Sequence, residues 1–203
     1  MSRKLILLAL AAVLGLAVTG IASAKWFNVI RGTKNADVIP GTGSRDFILG
    51  FAGDDQISAS GGGDVVYAGR GNDSADGGAG FDRIFGGPGN DTLNVGDDGA
   101  VLWGGNGNDT LNAGNSGRNV LHGGKGDDTV NGGPGRDRLY GGPGVDSESG
   151  GDGNDVLHSL FPDGQVDSLD CGPGDHDVAW VRAGEPDTVA NCEIVKTVST
   201  SGS

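Results

Sequence analysis

A nine-residue period of glycine and aspartate constrains this chain more than any other feature. From Gly32 the sequence divides into units of the form G-G-x-G-x-D-x-U-x, where U is aliphatic. Two of the most regular are GGPGNDTLN at 86–94 and GGNGNDTLN at 104–112. Fourteen units run to His158, and the sixth position is aspartate in twelve of them: Asp37, Asp46, Asp55, Asp64, Asp73, Asp82, Asp91, Asp109, Asp128, Asp137, Asp146 and Asp155. The eighth position is Ile, Leu or Val except at Ala75 and Glu148. A fixed period of this kind marks a repeat architecture, in which each unit buries its apolar face by stacking on a neighbour. Only about three residues separate successive turns, too few for the paired strands of ordinary hairpins.

The residue types in the repeat point to one chemistry. Glycines accept the positive φ angles of a tight turn and let carbonyl oxygens converge. Aspartate at the end of the turn adds a hard anionic oxygen, and carbonyls with carboxylates suit Ca²⁺. Mg²⁺ would demand a stricter octahedron, and Zn²⁺ would draw on His or Cys. The units resemble the RTX (hemolysin-type) calcium-binding repeat over about two thirds of the chain. That resemblance implies an all-β fold, a parallel β-roll. The expected architecture is a right-handed β-solenoid with two nonapeptides per coil, folded around Ca²⁺ held by the twelve aspartates. Seven coils stacked at ~4.8 Å would make a rod of roughly 30 Å.

With two units per coil, alternate units share a side. Asp37, Asp55, Asp73, Asp91, Asp109, Asp128 and Asp146 form an unbroken first side. The second side carries Asp46, Asp64 and Asp82, then two irregular units, then Asp137 and Asp155. One irregular unit has Ala100 at the ligand position. The other, 113–122, is one residue too long, and keeping its strand in register puts Asn119 there, a weaker donor. Position nine of the second side reads Leu49, Tyr67, Phe85, Trp103, His122, Tyr140 and His158. This aromatic column either stabilises the sheet, lies under another segment or a second copy, or offers Tyr67, Phe85, Trp103 and Tyr140 to a glycan or cell-surface partner.

The two ends differ from the array. Arg3 and Lys4 precede an apolar run over 5–18, and Ala22-Ser23-Ala24 follows as a small-x-small site. That pattern predicts an export signal over 1–24, cleaved after Ala24, and a secreted mature chain without a transmembrane anchor. Residues 25–31 are a lead-in, 32–158 the roll of fourteen repeats, and 159–203 degenerate repeats with a C-terminal cap and frayed tail. Asp167, Asp177 and Asp187 still echo the D-x-U pattern at ten-residue spacing, as weaker candidate ligands. Cys171 and Cys192 are expected to pair in an oxidising compartment. The tail around them looks like that of small exported actinobacterial proteins with these repeats. The family's exoproteins carry an uncleaved C-terminal secretion signal, so the N-terminal signal is a departure that implies Sec-type export.

Composition narrows function. There are 14 Lys+Arg against 27 Asp+Glu, a formal charge of −13, which argues against nucleic acid as a partner. Without its period such a chain would read as disordered. No H-E-x-x-H or G-x-S-x-G motif is present, and His122, His158 and His176 fall at strand ends or in a turn. Enzymatic activity is not expected. The leading reading is a secreted calcium-binding structural or binding module. The alternatives are a calcium-dependent adhesin or glycan binder using the aromatic face and, more weakly, an unrecognised hydrolase.

Overall fold

A three-residue x-U-x strand has no partner within its own unit, so its backbone groups must pair with the equivalent strand one coil away. A computed structural model describes residues 27–115 and 117–199 and shows this arrangement throughout. The expected signal over 1–24 lies outside the described residues. Alternate strands build two sheets, one of ten strands from Asn28–Arg31 to Ile194–Val198, the other of nine from Val38–Thr42 to Thr188–Ala190. Every pairing is parallel, and the chain passes from one sheet to the other at each turn, giving a β-solenoid of about nine turns. The described residues include no helix, and so none long and apolar enough to cross a membrane.

The register follows the repeat. Leu93 lies opposite Leu111, eighteen residues on, and Ile84 opposite Leu102. At the long unit the offset becomes nineteen, with Val101 opposite Val120 and Thr110 opposite Thr129. The extra residue is absorbed in the turn, as the strand pattern requires, because a slip would turn the aliphatic position outward.

The roll extends past the motif at both ends. Asn28–Arg31 pairs with Asp46–Ala52, and four strands beyond residue 159 continue the two sheets at offsets that vary from sixteen to twenty-two residues. Parallel pairing depends on backbone groups and an inward apolar residue, not on turn length. Leu169 and Ala179 therefore extend the core after the nonapeptide has lapsed.

The core is a double file of eighth-position side chains, one file from each sheet. Ile48, Val66, Ile84, Leu102, Leu121, Leu139 and Leu157 face Ile39, Ile57, Leu93, Leu111, Val130 and Leu169, all buried. Each contributes about 1.5–3 kcal/mol relative to an exposed side chain. Glu148 sits in the same file and is fully buried.

Cys171 and Cys192 form a disulfide between the turns that follow Ser168–Asp170 and Thr188–Ala190. It ties together the last coils, where Val195, in line with Leu157 and Ala179, is already 51% exposed. Replacing both cysteines with serine should destabilise the roll by about 3 kcal/mol. Hydrogen exchange should show the lost protection first in Val178–Arg182 and Ile194–Val198.

Candidate metal centres

The sixth-position aspartates end their turns and point along the solenoid axis into two columns. On the first side each backbone N–H donates to the aspartate one coil on: Asp37 to Asp55, Asp55 to Asp73, Asp73 to Asp91, Asp91 to Asp109, Asp109 to Asp128 and Asp128 to Asp146. These bonds are 2.7–2.9 Å long and all end on Oδ1. The second side repeats the pattern from Asp46 to Asp64 to Asp82, and from Asn119 to Asp137 to Asp155. One carboxylate oxygen per turn is thus consumed by the fold.

The other oxygen is left over. Oδ2 of Asp55, Asp64, Asp73, Asp82, Asp91, Asp109, Asp128, Asp137, Asp146, Asp155 and Asp177 is buried without a hydrogen-bond partner. A lone buried carboxylate oxygen is costly, and a column of them is stable only if a cation meets them. Around each one the chain supplies carbonyls. A Cβ on Gly104 would strike Asp109 Oδ2 and the Gly123 carbonyl together, and one on Gly123 would strike Asp128 Oδ2 and the Gly141 carbonyl. Only glycine leaves that space open to an ion. Among the described residues no three carboxylates, imidazoles or thiols converge as a metal cluster, so backbone carbonyls must supply most of the donors. An all-oxygen set with one carboxylate per turn fits Ca²⁺ and excludes the sulfur and nitrogen preferences of zinc.

Burial raises the aspartates above the usual carboxylate range, to about 7 for Asp82, Asp109, Asp137 and Asp146. Asp55, Asp91, Asp128 and Asp155 rise to about 6 by the same cause. Neighbouring carboxylates in the column add to the rise, while the ladder hydrogen bonds oppose it.

The second column is interrupted where the sequence departs from the motif. Ala100 places a buried methyl at the ligand position. Asn119 keeps the ladder through its N–H and Nδ2, both donated to Asp137 Oδ1, and leaves its own neutral Oδ1 buried without a partner. The three late aspartates lie in line with the columns. Asp146 donates to Asp167 and Asp167 to Asp187 on one side, Asp155 to Asp177 and Asp177 to Glu193 on the other. Asp167 Oδ2 and Asp187 Oδ2 both lie 2.7 Å from the Ser159 hydroxyl, which has one hydrogen to give. The first column is therefore closed by a side chain at the place where the second still has a free oxygen on Asp177.

Several functional groups are not evident from the motif. Asp54, Asn72, Asn90, Asn108 and Asp127 form a second ladder on the first side, each accepting from the fifth residue of the next coil, and on the second side Asn154 accepts from Asp175 and His176. These residues mix Asp with Asn and so lie outside the charge pattern of the motif, although their fixed fifth position is a usable signal. Glu148 accepts from the Gly141 N–H and keeps Oε2 buried and unpartnered, and burial raises its carboxyl well above the usual range. Its departure from the aliphatic pattern was visible, its partner was not.

The aromatic column is a continuous stack. Tyr67, Phe85 and Trp103 lie ring on ring with centroids 4.6 and 4.4 Å apart, and His122, Tyr140, His158 and Trp180 continue it. Lys196 covers the last ring, 4.5 Å from the Trp180 centroid. The rings use their faces on each other and turn their edges outward. Burial lowers His122 and His158 below the usual imidazole range, which keeps the stack uncharged at neutral pH.

Two files of glycine turns, each holding one free carboxylate oxygen among carbonyls, define a metal-binding β-roll. The family model described as the RTX calcium-binding nonapeptide repeat (4 copies) matches residues 31–66, 67–99, 96–115, 113–148 and 149–160. These segments span well over half of the chain, and the protein belongs to that family. RTX nonapeptide repeats bind Ca²⁺, and the protein is a calcium-binding structural module. No curated protein matches it.

Two tests follow from the column chemistry. In the metal-free roll the aspartates titrate at about 6 to 7, above the 3.8 of an unfolded chain, so the folded form holds more protons through that window. The metal-free roll loses stability as pH rises through it, while calcium must displace those protons. Circular dichroism after EDTA treatment should accordingly show more residual β-structure near pH 5 than at pH 8. Asn119→Asp should extend the second column and raise bound calcium by about one ion in direct metal analysis.

Proposed function

We propose that the protein is an exported module whose folding is its calcium response, with metal held by the twelve repeat aspartates and more weakly at Asn119, Asp167, Asp177 and Asp187. The observation that carries this is the column of buried, unpartnered Oδ2 atoms, which a metal-free roll has no means to satisfy. The thin double-file core cannot offset that cost alone, so ion binding and folding are one linked event. Proteins with RTX repeats are typically secreted, and the signal pattern over 1–24 supports export by the Sec route. Extracellular modules of this kind respond to ~0.1–1 mM calcium.

A non-enzymatic role is supported by what the turns do with their carboxylates. Those engaged by the ladder and by Ca²⁺ stay ionised and occupied, which leaves no free acid–base pair. The glycan-binding alternative draws less support, because sugar recognition uses ring faces and these faces stack on one another.

After EDTA treatment the chain should give a disordered far-UV circular dichroism spectrum, and added Ca²⁺ should convert it to β-structure. A β spectrum indifferent to both would refute the proposal.

A further inference from the structure

The formal charge of −13 is largely an internal charge. Of the 27 acidic residues, 14 are buried, thirteen aspartates of the two columns and Glu148. Among the described residues the remaining 13 stand against 11 Lys+Arg, so the charge outside the buried columns is close to balanced. Each Ca²⁺ that enters a column adds two positive charges where the fold has one free carboxylate oxygen. The net charge changes sign at the seventh ion, or the eighth if Arg3 and Lys4 are removed with the signal. One ion at each of the eleven unpartnered Oδ2 atoms would carry the chain from −13 to +9.

The surface has a place where that change is felt. Arg45, Arg118 and Arg136 each directly precede the ligand position of the second column, and all three are exposed. Arg83 and Arg138 stand beside the same edge, in register with the valines of their neighbouring strands, and are exposed as well. Arg45 rests on the Phe27 ring and Arg83 on the Phe81 ring, 4.5 and 5.1 Å from their centroids. The five lie along one edge over five coil steps, about 24 Å at ~4.8 Å per step, with Arg136 and Arg138 side by side in one coil and none in the coils of Asp64 and Ala100. The first side has Asp or Asn at five of its seven fifth positions, with Ala36 and Val145 at the others, and no arginine, so the arginines belong to one edge alone.

We propose that calcium reverses the sign of the protein's net charge and thereby makes this arginine file a binding surface for a linear anionic polysaccharide. Empty sites put the unmet carboxylates of Asp64, Asp82, Asp137 and Asp155 along the same side of the roll, and filled sites replace that negative field with a positive one. A narrow band, one or two arginines to a coil along one edge, fits an extended chain laid along the solenoid axis rather than a plane of headgroups. The excess of acid in the sequence, which argues against polyanions, does not describe the loaded surface. The inference rests on calcium entering the columns as proposed above.

Electrophoretic mobility at neutral pH, followed across a calcium titration, should pass from anodic to cathodic. At saturation the protein should be retained on immobilised dextran sulfate and not on neutral dextran, with retention falling as salt rises. Arg118→Gln/Arg136→Gln/Arg138→Gln should weaken that binding about tenfold or more while leaving the calcium-induced β spectrum unchanged. Mobility that stays anodic at saturation, although circular dichroism shows folding, overturns this inference and leaves the calcium-folding reading intact. A failure to fold with calcium overturns both. Retention unaffected by the arginine changes, or retention on immobilised DNA and not on dextran sulfate, overturns the assigned surface and partner.

Discussion

The structure depends on a division of labour within one carboxylate. From Asp55 to Asp155, Oδ1 of each repeat aspartate accepts a backbone N–H from the coil before it or, at Asp137, from Asn119, and Oδ2 is left buried with nothing to pair with, whereas Oδ2 of Asp37 and Asp46 at the start of the roll accepts from Thr33 and Thr42. The first oxygen holds coil to coil without any metal. The second makes that arrangement unfavourable until a cation arrives. Glycine is required around it because any Cβ there would occupy the space where carbonyl and carboxylate oxygens meet. Composition, turn geometry and calcium dependence are consequences of this one placement.

The two sides of the roll use it differently. The first has a full column, a second Asx ladder outside it, and a closing contact from Ser159. The second loses its ladder at Ala100, keeps a neutral oxygen at Asn119, and carries both the aromatic stack and the arginine file. Stacked rings at one per coil add rigidity to a sheet whose outer face would otherwise expose apolar edges. The weaker metal column is thus adjacent to the side chains with the most capacity to contact something else.

Burying thirteen column aspartates is offset in part because each gives one oxygen to a hydrogen bond within the fold. The same burial lifts their proton affinity toward neutrality, so protons and Ca²⁺ compete for the same oxygens. Glu148 is a separate case. It sits in the apolar file and is raised by the same cause, but half of its carboxylate has no partner, and the fold offers no carbonyl cradle like those of the turns.

The nine-residue period by itself determined the parallel roll, the two aspartate columns and the break at Ala100 and Asn119. A period fixes which residues recur on one face, and stacking does the rest. It also indicated the Cys171–Cys192 pair, since two cysteines allow one bridge. Tertiary structure decided what period cannot express. The coils beyond residue 159 arise from backbone pairing that tolerates uneven turns, so Trp180 and Lys196 join an aromatic column whose motif had ended. That the rings meet face to face, that Ser159 reaches Asp167 and Asp187, and that each aspartate has one oxygen spent and one free are matters of distance between coils. The sequence counts charges without saying which are inside, and only the folded roll shows that 14 of the 27 acids are shielded from water.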